Sequence, residues 1–139
     1  MNTSCTMNDS EFHQAFLDQA LSPKDFHHAE HLRAAWCCFR QSGDFATGAE
    51  QFVRHFRLFA AKIGAAAKYH ETITWYYLIL VHQRMAAGPA GQSWAEFHRT
   101  NPDLFEPGQR LLRSCYLPST LDSPLARRAF VLPDQPSAA

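Results

Sequence analysis

An excess of charge of either sign is what this chain most lacks. Thirteen basic side chains are balanced by thirteen acidic ones, for a formal net charge of zero. Without a basic surplus to displace counterions from phosphates, the usual driving force for nucleic-acid binding is missing. The same balance leaves no polybasic patch for an anionic membrane surface. Long apolar runs are absent too. No stretch reaches the roughly eighteen apolar residues that a transmembrane helix needs, so no membrane span is expected. The opening segment MNTSCTMNDS is polar and has no signal-peptide core, so the expectation is a cytoplasmic protein. The four cysteines, Cys5, Cys37, Cys38 and Cys115, show no paired-ligand spacing. In a reducing compartment they read as small apolar residues. There is no glycine-rich phosphate loop, no internal repeat and no low-complexity block outside the tail.

What is present is apolar and ring-rich. Apolar residues make up 46% of 139 positions, enough for one folded domain without staples. Eleven phenylalanines imply a core dense in rings, or a pocket lined by them. Helix signals dominate. Asn8-Asp9-Ser10 can cap a first helix bearing Phe12, Phe16 and Leu17. Ser22-Pro23 reads as an N-cap and first-turn proline opening a second helix that runs to about Gln41 and stops at Ser42-Gly43. Phe52, Phe56, Phe59 and Ile63 define one face of a third helix, from about Thr47 to Ile63. The run from Tyr69 to Met85 is apolar almost all round and is read as a fourth, most buried helix. Ser93 to Glu96 fits a capping box, Asn101-Pro102 another start, and Ser123-Pro124 a last turn through Arg128. The fold class expected is therefore all-α: a single-domain compact bundle of four main helices plus short C-terminal ones. Residues 1–8 and 133–139 are expected to be flexible ends.

Three of the eight histidines fall within DFHHAEH. A helix turns about 100° per residue, so Leu32, Ala35 and Phe39 lie within about 40° of His28. His28 then sits in the middle of the apolar stripe, and His31 lies about 60° away. Glu30, Arg33, Cys37, Arg40 and Gln41 make the opposite, wet arc. His27 lies at its border, as a cap or in solvent. A third inward histidine, His70, opens the fourth helix, with Thr74, Tyr77 and Val81 on its face. Buried imidazoles need partners for both nitrogens. They can be hydrogen-bonded core residues. They can also share a divalent metal, and three protein nitrogens would leave coordination positions open for chemistry. Glu71 is a candidate fourth ligand or general base, or simply a first-turn acid favoured by the helix dipole. His55 could enter the core or serve as a spare ligand. His13 and His82 have no clear partner, and His98 is expected to be exposed.

Tyr116 and Arg127 or Arg128 are candidates for a pocket border, with the arginines as an anion clamp; the plain alternative is a capped helix with solvated arginines. Trp94, Phe97, Leu104 and Phe105 are expected to close the lower core.

The segments DFHHAEHLRAAW, KYHETITWYYLIL, SWAEFHRTNPDLF and SPLARRAFVLPD together resemble a largely uncharacterised group of small bacterial all-helical proteins built on H-x-x-H-L-R-x-A-W and Y-H-x-T-x-T segments. The resemblance covers about Phe26 to Asp134 and singles out the same three histidines. It implies no reaction. Hemerythrin-like and DinB-like bundles differ in the number, spacing or place of their histidines, so neither is assigned.

The sequence thus points first to a small metalloprotein, an enzyme acting on a small molecule. His28, His31 and His70 would hold one divalent transition metal (iron, copper or zinc), and Glu71 and Tyr77 would take catalytic roles. Redox chemistry with dioxygen is slightly favoured over hydrolysis, because a ring-rich pocket suits an apolar substrate. The alternative is a metal-free helical module whose core histidines are hydrogen-bonded and which binds a small ligand or a protein partner. A homo-oligomer is compatible with either.

Overall fold

The structure, a computed structural model, describes residues 7–135. It is all-α, with no strand among the described residues. Among the described residues eight α-helices follow in order: α1 Asp9–Leu17, α2 His28–Ser42, α3 Phe45–Lys62, α4 Glu71–Ala87, α5 Trp94–Thr100, α6 Arg110–Cys115, α7 Pro118–Leu121 and α8 Pro124–Arg128. Short 3-10 turns cover Pro23–Asp25, Ala66–Lys68 and Pro102–Phe105. Among the described residues, no helix is long and apolar enough to cross a membrane.

The helix starts follow from side-chain chemistry. Asn8 accepts from the Glu11 amide while Glu11 accepts from the Asn8 amide, a reciprocal cap for α1. Asp44 caps α3 through the Thr47 amide, so the helix starts at Phe45, two residues before the expected start. Ser93 and Ser123 cap α5 and α8 through the Glu96 and Ala126 amides. Gly43 ends α2 in the left-handed conformation, with φ 78°, where a side chain would be strained.

Three expected boundaries are corrected. Asn101-Pro102 opens only the 3-10 turn Pro102–Phe105, with no side-chain cap from Asn101. Ser22-Pro23 opens only the 3-10 turn Pro23–Asp25, and Phe26 breaks away before α2 begins. The cap of α2 is His27, an exposed residue whose Nε2 donates to the Lys24 carbonyl at 2.7 Å. The fourth helix starts at Glu71, so His70 is its cap and not a helical residue.

The most buried helix is also different from the one expected. α2 packs against α3, α4 and α1, and buries Leu32 and the run Ala34 to Phe39. Periodicity missed this because α1 covers the arc assigned to solvent. The Arg33 guanidinium lies 4.4 Å from the Phe12 ring centroid and donates to the Met7 carbonyl and to Asp9. Cys37 is buried under the same helix, and burial pushes its thiol up to about 12. Cys38 is also buried with its thiol raised, Cys115 is half-buried, and all three are free. Cys5 lies outside the described residues, as do residues 1–6 and 136–139 of the expected flexible ends.

The other end residues are held. Asn8 caps α1, and the Cys115 carbonyl accepts from the amides of Asp134 and Gln135. Asp134 also accepts from the Leu117 amide and the Thr120 hydroxyl. Thr72, fully buried on α4, donates to the Ala129 carbonyl at 2.8 Å and accepts from the Val131 amide at 3.1 Å. This pair fastens the chain after α8 across α4. Tyr116, expected at a pocket border, is a sealed core residue whose hydroxyl donates to the Val131 carbonyl. Trp94 stacks on Phe97 and meets Phe105 edge-on, closing the lower core as expected.

Candidate functional site

A cavity of about 400 Å³ lies between α2, α3 and α4. Each helix supplies one wall. α2 contributes His28, His31, Leu32 and Ala35; α3 contributes Phe52, Phe56, Phe59 and Ala60; α4 contributes Ile73, Thr74, Tyr77 and Leu78. His70 and Tyr69 enter from the segment just before α4, and Phe26 from the break before α2. His28, His31, His70, Thr74 and Tyr77 therefore share one cavity with four phenylalanines. This volume falls in the range of small-molecule pockets.

The three imidazoles are held very differently. His28 Nε2 lies 2.8 Å from the Leu104 carbonyl oxygen. A carbonyl only accepts, so Nε2 carries the proton. Its ring meets Tyr77 edge-on at 4.7 Å. His70 uses both nitrogens: Nε2 donates to the Leu121 carbonyl at 2.7 Å, and Nδ1 accepts from the Ile73 amide at 3.2 Å. That is a neutral histidine with its lone pair spent on capping α4. His31 packs between the rings of Phe26 and Phe56, at 4.5 and 4.9 Å. Burial lowers its pKa to about 4, and the neighbouring His28 adds to the effect, against an opposing hydrogen bond to the Phe26 backbone. It is neutral at physiological pH.

The donor set does not match the metal site as drawn from sequence. Among the described residues, no group of three histidine, cysteine, aspartate or glutamate side chains is placed to hold a metal ion. His70 has no lone pair left, whereas His28 holds Leu104 through Nε2 alone. Glu71 does not line this cavity. Its Oε1 accepts from the Tyr69 hydroxyl at 2.5 Å and the Trp75 indole at 3.1 Å. His55 lies outside as well, with Nδ1 on the Gln51 carbonyl at 2.7 Å. His13 bonds Gln51, His82 packs between Phe39 and Phe45, and exposed His98 lies over Phe105.

The Tyr77 hydroxyl has no hydrogen-bond partner among the described residues, and it is not sealed from the cavity. Burial raises its pKa to about 12, so it is a neutral donor.

Sequence reasoning missed Tyr69, Phe26 and Gln109 as wall residues. Tyr69 carried a signal, since it directly precedes His70. Gln109 carried none: it comes from the turn before α6, in the left-handed region with φ 54°. The carbonyls of Leu104 and Leu121 were equally hidden, because a backbone acceptor leaves no mark on residue type.

Comparison with protein-family models, with curated proteins and with solved structures finds no match to this chain.

Proposed function

We propose that the chain binds a small, largely apolar molecule in the cavity between α2, α3 and α4. One observation carries this reading. Phe26, Phe52, Phe56 and Phe59 line a cavity of about 400 Å³ together with an unpartnered Tyr77 hydroxyl and the neutral ring of His31. Apolar walls with a few fixed polar groups are the usual build of a small-molecule site. His28 and His70 serve as braces, tying α2 and the start of α4 to the distant carbonyls of Leu104 and Leu121.

An NMR titration of the whole chain with neutral decanol tests this. Amide shifts are expected at Phe56, Tyr69 and Tyr77, and loss of binding in folded Ala35→Leu, whose larger side chain enters the cavity. Shifts confined to other surfaces, or unaltered binding in that variant, would refute the proposal.

A second reading, the three-histidine metal site, is favoured by one fact: His28, His31 and His70 line the same cavity. It requires His70 to release the Ile73 amide or the Leu121 carbonyl, while His28 could ligate through Nδ1 and keep its Nε2–H on Leu104. Elemental analysis of untagged protein decides it. Near-stoichiometric iron, copper or zinc, lost in a folded His28→Ala variant, supports the metal. Protein that binds decanol but carries no metal rules it out.

A further inference from the structure

A second cavity, also about 400 Å³, adjoins the first. Its wall includes Arg57 from α3, Arg127 and Arg128 from α8, and Tyr69 and Glu71 from the start of α4. Ala60 and Tyr69 belong to both walls. Tyr69 is the aromatic ring common to both. Its ring lies 6.1 Å from that of Phe56 in the first cavity, and the Arg57 guanidinium sits 5.1 Å from its centroid.

The three arginines have no acidic partner among the described residues. Arg33, Arg54, Arg84 and Arg110 each pair with a carboxylate; Arg57, Arg127 and Arg128 do not. Glu71 is the one acid in this wall, and its Oε1 already holds two donors. Three positive side chains against one negative leave a surplus of two in that wall. The arrangement is fixed from a distance. Arg127 and Arg128 share this wall with Arg57, and the segment that carries them is anchored by Thr72 on the Ala129 carbonyl and Val131 amide and by His70 on the Leu121 carbonyl. A guanidinium presents a planar fork of donors that matches a carboxylate or phosphate.

We infer that the two cavities form one site for an amphiphilic anion. The apolar body lies among the phenylalanines of the first, and a carboxylate or phosphate head is bound by Arg57, Arg127 and Arg128. This rests on the reading of the first cavity as an apolar site. At about 30 Å³ per non-hydrogen atom, the volume of about 400 Å³ holds a body of roughly a dozen atoms.

Calorimetric titration of the whole chain with decanoate, octyl phosphate and decanol is the test. Decanoate or octyl phosphate is expected to bind about tenfold more tightly than decanol at low salt, with the gap narrowing as salt is raised. The tighter of the two anions identifies the head group. The double variant Arg127→Gln/Arg128→Gln, and separately Arg57→Gln, should weaken the anion at least about fivefold and leave decanol unchanged. All three side chains are exposed, so both variants are expected to keep the wild-type circular dichroism. Equal binding of anions and decanol, or no effect of either variant, overturns the anion site while leaving the apolar site standing. No binding of any of the three ligands overturns both.

Discussion

At the scale of single residues, the histidines divide by what their nitrogens touch. His70 spends one nitrogen on the Ile73 amide and the other on the Leu121 carbonyl, so it is a structural cap. His31 packs between the rings of Phe26 and Phe56, and that has a consequence for pH. Its folded pKa of about 4 lies below the ordinary histidine value of about 6.5. The unfolded chain therefore takes up this proton first as pH falls. The sign follows: stability is fully present above about 6.5, is lost as pH falls from there to about 4, and is constant below. The loss from this one group is at most roughly 3 kcal/mol. Urea unfolding at stepped pH should show a shallower decline in His31→Gln than in the parent over that window. Equal slopes would show that His31 is not buried in its neutral form. The inward aim of this residue was legible from the helical repeat alone. The separate fates of His28 and His70 were not, because carbonyls more than fifty residues downstream decide them.

Among the elements, α2 and α3 set the width of the cavity, and Gly48 sets how closely they approach. A Cβ at Gly48 would lie 2.5 Å from Phe39 Cδ1 and 2.9 Å from Ser42 Oγ. Phe39 cannot easily yield, since it stacks on Phe45 at 5.6 Å and meets His82 at 5.1 Å. Gly48→Ala gains about 1 kcal/mol of helix propensity but meets an overpacking cost of about 1–3 kcal/mol. A net destabilisation of roughly 1 kcal/mol is expected in the urea midpoint, and a variant as stable as the parent would show that the helices separate freely. Helix existence was readable at this scale from caps and apolar spacing. Asn8, Ser93, Gly43 and Ser123 act where their chemistry placed them. What periodicity could not give was which faces are covered. Arg33 and Cys37 looked wet on the helix, yet α1 lies over both. Ile63 and Ile79 looked buried, yet both are exposed, at 41% and 43%.

For the whole molecule, the final segment is what joins the two cavities into one candidate site. The backbone from Leu121 to Val131 accepts from His70 and bonds Thr72, and so brings two arginines to the start of α4. The sequence showed the arginines and the three histidines as separate features. Their adjacency depends on chain crossings that no local spacing records. The central claim is that His28 and His70 are braces held by backbone carbonyls while His31 and Tyr77 face an apolar ligand. Long-range ¹H–¹⁵N spectra of the imidazoles, recorded with and without decanol, test it most directly. The expected result is a proton on Nε2 of both His28 and His70 in the free protein, with Nδ1 of His70 unprotonated, and ligand-dependent shifts largest at His31. Decanol binding that leaves the His31 signals unmoved, or a His70 ring whose Nε2 carries no proton, would contradict it.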